Sequence, residues 1–183
     1  MHCLSLRSSF AAATKAGLFG IWQPKAFAHV DTLDAWEDEV ADDRGLSRAI
    51  AEGTFVPINI GGDGAFQFEV RGTDEQRVLT ARERSYLVVS SERYLLVSDG
   101  TVASGGLESV GAYGAQAAWQ FELDPGKYSV SVHLLDWRAE PGYSNADGSP
   151  RDGALPDFVV LLSPELAAVQ DYRQSVETFV RPS

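Results

Sequence analysis

Five carboxylates fall between positions 37 and 43: Glu37, Asp38, Glu39, Asp42 and Asp43. On a helix they occupy about two turns, where like charges at i,i+4 repel by a few tenths of a kcal/mol each. A solvated face and a first turn that favours anions explain part of the cluster. They do not explain Asp42 and Asp43, which this reading places at a carboxyl end, where the helix dipole disfavours them. A basic partner would offset that cost. The chemistry on offer is therefore recognition: the acids steer the encounter, and an aromatic such as Trp36 or Trp137 anchors it.

Other groupings offer less. His133 stands near Ser131 and Asp136, but Asp136 cannot easily face it along a strand, and no Gly-x-Ser-x-Gly elbow exists. The three histidines, His2, His29 and His133, lack the spacing of paired zinc ligands. Gly61-Gly62-Asp63-Gly64 is followed by no Lys-Ser/Thr pair and leads into a strand, so it reads as a hairpin turn rather than a phosphate loop. Asn145–Asp152 starts like a calcium loop, yet Pro150 stands where the bend needs glycine and no glutamate closes it. It reads as a flexible polar loop. No metal, cofactor or catalytic residue is expected.

Composition narrows the class. The 183 residues carry a net charge of −11. Such a chain repels nucleic acid, whose binding rests on cations that displace counterions, and it attracts basic proteins. The single cysteine, Cys3, forms no internal disulfide and fits a reducing cytoplasm. A passage from Arg7 to Ala28 imitates a secretory signal, but Lys15 interrupts its apolar core. No stretch approaches the ~18 apolar residues of a membrane helix.

These residues need elements to position them. Residues 1–30 read as a peripheral segment, and 31–183 as one domain. Asp31 or Thr32 caps a helix through Leu33, Trp36 and Val40; a second, Leu46–Ala51, stops at Gly53. Phe66, Phe68 and Val70 alternate with polar residues, as in a strand with one wet face. Two hairpins are expected, Phe55–Val70 turning at Gly61–Gly64 and Ala117–Trp137 turning at Asp124-Pro125-Gly126-Lys127. Ser85–Val89 and Tyr94–Val97 form a further pair. Residues 138–156 make a long loop, Phe158–Leu162 a central strand buried on both faces, and Ser163-Pro164-Glu165 the start of a weak C-terminal helix.

The succession Glu52-Gly53, Ile60–Gly64, Tyr94–Gly100, Asp124–Tyr128 and Leu155–Phe158 resembles a family of uncharacterised small bacterial proteins. The order of elements is also similar to that of the competence-associated inhibitor of a DNA-entry nuclease and of some toxin-immunity proteins. The resemblance implies a mainly β (α+β) protein, a two-sheet antiparallel β-sandwich with short helices on its N-terminal side. It carries over no site residue. The expectation is a non-catalytic acidic protein that covers a basic toxin or nuclease. The alternatives are a ligand binder or enzyme using Asp136, Trp137, Arg138 and Tyr143, and a structural module that assembles through its sheet edges.

Overall fold

In the computed structural model, residues 6–72, 78–113, 118–165 and 171–182 are described. Cys3 and His2 lie outside them. The described residues form one eight-stranded mixed sheet and three short α-helices. The mainly β expectation holds. The two antiparallel sheets expected of a sandwich are replaced by a single sheet, which buries its inner face by rolling upon itself.

Strands β1 (Arg7–Thr14) and β2 (Leu18–Trp22) begin the chain. Helices α1 (Leu33–Trp36) and α2 (Asp43–Glu52) precede β3 (Phe55–Asn59) and β4 (Gly64–Arg71). Helix α3 (Ala81–Ser85), β5 (Leu87–Ser90), β6 (Tyr94–Gly106), β7 (Trp119–Leu135) and β8 (Phe158–Pro164) complete the set. The sheet order is β1-β4-β8-β7-β6-β2-β3, with β5 paired to β7. The β4–β8 pair is parallel and the other pairs are antiparallel.

Aromatic contacts between remote strands show the roll. Phe19 on β2 meets Phe68 on β4 at a centroid distance of 5.0 Å, although β6, β7 and β8 lie between them in the order. Phe10 on β1 stacks on Trp119 of β7 at 5.5 Å, and the Trp119 indole N–H donates to Ser8 Oγ at 2.9 Å. Inside the roll sit Phe19, Ile21, Val56, Phe68 and Phe158, while Trp22 packs on Phe55 on the other face of β2 and β3. Residues 1–30 are thus not simply peripheral, since Arg7–Trp22 supplies two strands and part of this core.

Strand β8 has the two-sided burial that its unbroken apolar run requires. Phe158, Val160 and Leu162 face the interior, while Val159 and Leu161 join Leu79, Leu135, Trp137 and Leu155 in a second cluster.

None of the three expected hairpins forms. Strand β3 pairs with β2 and β4 pairs with β1 and β8, so Gly61–Gly64 is a crossover link. The Gly61 N–H donates to the Asn59 side chain and to the Gly17 carbonyl. Asp124–Lys127 lies inside β7, a strand of 17 residues. The register jumps from Ser98 opposite Gly126 to Gly100 opposite Leu123, leaving Asp99 against both Asp124 and Pro125. That is a β-bulge. Proline has no N–H to lend the ladder, and a bulge tolerates it. Ser98 Oγ fills the gap by donating to the Leu123 carbonyl at 2.6 Å. The link Ser90–Arg93 joins β5 and β6, each of which pairs with β7 rather than with the other.

Ser163 and Pro164 end β8 instead of starting a helix. Residues 166–170 lie outside the described set, and 171–182 contain no helix.

Candidate functional site

The acidic segment is two helical pieces with a bend between them. Thr32 caps α1, its Oγ1 accepting from the Ala35 N–H at 3.2 Å. Glu37–Ala41 then widens into a π-helical turn that ends with the Asp42 N–H donating to the Glu37 carbonyl at 2.9 Å. Asp42 leaves the helical conformation, and its carboxylate accepts from the Arg44 and Gly45 N–H groups. It is the N-cap of α2, and Asp43 is the first helical residue. Both therefore sit at an amino-terminal, anion-favouring end. The electrostatic cost that suggested a partner for Asp42 and Asp43 is met within the chain.

Helix α2 fixes this segment to the sheet. Leu46, Ala49 and Ile50 are buried at the i, i+3, i+4 spacing. Gly53 closes the helix at φ 74°, and a Cβ there would lie 2.6 Å from Leu95 Cγ. Opposite that anchored face, Asp31, Asp34, Glu37, Asp38, Asp42 and Asp43 are exposed, while Glu39 is half-buried and pairs with His29. Leu33 stands among the acids at 45% exposure. Tyr113, 44% exposed, donates its N–H to the Val30 carbonyl at 3.0 Å, next to the same segment. Trp36 is half-buried, with its indole N–H given to the Leu107 carbonyl at 3.2 Å.

Trp137 does not join this surface. It is 3% exposed, lies in the outer cluster of the sheet, and donates its indole N–H to Asp157 Oδ1 at 2.8 Å. The structure thus brings Trp36 together with Glu37, Asp38, Glu39, Asp42 and Asp43, and places Trp137 in a different region. Leu33 and Tyr113 were missed. Leu33 reads from the sequence as part of the apolar stripe Leu33, Trp36 and Val40; in the structure Val40 is buried, Trp36 is half-buried, and Leu33, in the first turn of α1, is left exposed.

The 138–156 segment is ordered by internal bonds. Arg82 holds Glu140 through two contacts of 2.7 and 2.8 Å and lies 4.5 Å over the Tyr143 ring. Asp147 accepts from the Ser149 N–H at 3.0 Å and hydroxyl at 2.6 Å, so its carboxylate closes a local turn. Of the alternative set, Trp137 and Arg138 line a cleft where β4 and β8 begin and β7 ends. Tyr143 packs on Arg82 instead, and Asp136 gives its N–H to the Tyr86 carbonyl.

On the outer face of the sheet, a second set of carboxylates is locked to arginines. Arg71 reaches Glu83 at 2.8 and 2.9 Å and Glu69 at 3.4 Å; Arg7 meets Glu69 at 3.2 Å. Burial pushes the Glu83 carboxyl up, but its bonds from Arg71 and Thr80 outweigh this and hold it below its ordinary value. His133 lies 2.7 Å from Ser90 Oγ through Nδ1 and 3.1 Å from Ser131 Oγ through Nε2. Burial, reinforced by Arg71, lowers its pKa to about 4. The ring is neutral at pH 7 and bridges two serines, with Asp136 taking no part. Among the described residues, no group of three or more His, Cys, Asp or Glu is placed to hold a metal ion.

No protein-family model and no curated protein matches the chain. Solved structures do share its fold. One is titled "Crocagin biosynthetic gene J": the TM-score is 0.57 at 17% identity, covering 90% of this chain and 99% of that one. Another is ComJ from Bacillus subtilis, titled as an inhibitor of the DNA-degrading activity of NucA. There the TM-score is 0.53 at 9% identity, covering 90% of this chain and 100% of that one. At these identities the likeness is one of fold.

Proposed function

We propose that this protein is a non-catalytic inhibitor that binds a basic protein, a nuclease or other toxin, through the acidic segment 31–43. The observation that carries the reading is the exposed Leu33 set among Asp31, Asp34, Glu37 and Asp38 on a segment rigidly mounted by α2. An apolar anchor ringed by charge is the usual layout of a partner-binding patch, in which the charges raise the encounter rate and the anchor sets the residence time. The fold shared with ComJ supports a nuclease as the class of target, and the net charge of −11 suits a cationic surface. Trp36 follows the anchor by three residues in α1, which puts the two on neighbouring positions of one helix face. Action in the cytoplasm, as an immunity or inhibitor protein held beside its target, follows from the same reading.

The test is inhibition. Basic proteins retained from the native host by the immobilised protein are eluted in salt and assayed for DNA degradation, with the protein added back. The expected result is a retained nuclease whose activity falls stoichiometrically, with Leu33→Asp relieving inhibition at least tenfold. Retention of no basic protein, or inhibition indifferent to both Leu33→Asp and salt, refutes the proposal.

A further inference from the structure

We infer that the cleft at the end of the sheet is a binding site for a small aromatic carboxylate, separate from the acidic segment. Its volume is about 540 Å³, within the range of pockets that hold small organic ligands. The walls are aromatic. The Phe158 ring lies 5.7 Å from Phe66 and 5.6 Å from Phe179, all three lining the cleft. The Phe179 side is fixed by the C-terminal tail: the Phe179 N–H donates to the Asn59 carbonyl at 2.8 Å, and the Asn59 amide donates to Thr178 Oγ1 at 2.8 Å. This wall is built before any ligand arrives, which lowers the ordering cost of binding.

Charge selects the ligand. In a chain of net charge −11, the cleft is lined by two arginines, Arg138 and Arg181, and one carboxylate, Asp157. Asp157 is fully engaged: Oδ2 accepts from the Gln67 N–H at 2.7 Å, and Oδ1 from the Trp137 indole N–H and from Arg181. Arg181 also donates to the Leu135 carbonyl. These groups hold the cleft together and have little left to offer a ligand. Arg138 differs. Its guanidinium lies 5.1 Å over the Trp137 ring and, among the described residues, makes no hydrogen bond or ion pair. An arginine steadied on an aromatic face, with its fork uncommitted, suits a planar carboxylate. The ligand's ring lies against the half-buried Phe66, backed by the buried Phe158, and its carboxylate meets Arg138. A neutral aromatic gains the first contact only.

Calorimetric titration of the full-length protein with 2-naphthoate tests the assignment. The expected result is saturable one-site binding that weakens at least tenfold for 2-naphthamide and at least tenfold in Arg138→Gln. Arg138 is exposed, so the variant should melt with the wild type, which separates lost binding from lost fold. Neutralising Glu37, Asp38 and Asp43 should leave naphthoate affinity unchanged, so failure of the inhibitor reading and failure of this one are distinguishable. Equal affinity for acid and amide, an unchanged Arg138→Gln titration, or no heat at millimolar naphthoate overturns the inference. Tighter binding of a free-acid tripeptide ending in phenylalanine overturns the choice of a small molecule.

Discussion

Two sets of carboxylates in this molecule have opposite surroundings. On the outer face of the sheet, Glu69, Glu83, Glu140 and Asp157 are 9% exposed or less, and each meets an arginine. In the 31–43 segment, Asp31, Asp34, Glu37, Asp38, Asp42 and Asp43 face water, and Asp42 alone caps a helix. A buried carboxylate stripped of its partner costs several kcal/mol, whereas an exposed one costs almost nothing. Charge serves folding in the first region. In the second it is left over, and so is free to serve an encounter.

The sharpest way to break this division is Arg71→Met, which strands Glu83 and half of Glu69's pairing in the protein interior. Urea denaturation should show a loss of about 3–5 kcal/mol; a loss under about 1 kcal/mol would erase the contrast. Acidification sharpens it next. With a pKa of about 4 in the fold, against 6.5 for a free histidine, His133 binds its proton more readily in the unfolded chain. Stability is therefore fully present above pH 6.5 and declines as pH falls toward 4, by up to about 3 kcal/mol. His133→Asn should flatten that part of the profile, and an unaltered slope would contradict the assignment.

Effects in the acidic segment should be smaller. Asp42→Ala removes the cap of α2 and should cost about 1 kcal/mol in the same denaturation measurement. The combined Glu37→Gln, Asp38→Asn and Asp43→Asn variant should stay within about 0.5 kcal/mol of the wild type. A larger destabilisation would show that these acids belong with the structural set.

Much of this arrangement was legible in the sequence wherever one element's own pattern decided it. The unbroken apolar run Phe158–Leu162 announces a strand covered on both sides, and Gly53 a helix end. The alternation Phe66, Phe68, Val70 announces a strand, but its polar face, expected to be wet, is buried at Glu69 and Arg71, where the two pair with each other and Arg71 pairs with Glu83. Pairing was not legible, because it depends on distant partners. Pro125 and Gly126 suit a tight turn and a bulge equally well, and the choice is made by the long β6 edge lying alongside. Asp42 misled for a related reason: the same aspartate ends one helix and starts another, and only the bend distinguishes the two roles. Helix α3 had a readable mark, Thr80 followed by Glu83, a reciprocal capping box now seen in both of its bonds. Trp137 looked like an available anchor because aromatic character does not say whether the indole N–H already has an acceptor, here Asp157.

The association rate with the retained basic protein, followed by stopped flow across ionic strength, tests the free role of the acidic set most directly. Wild-type protein should bind fast at low salt and slow steeply as salt rises, with the Glu37→Gln, Asp38→Asn, Asp43→Asn variant at least tenfold slower at low salt and converging at high salt. Superimposable curves for the two proteins would contradict the account.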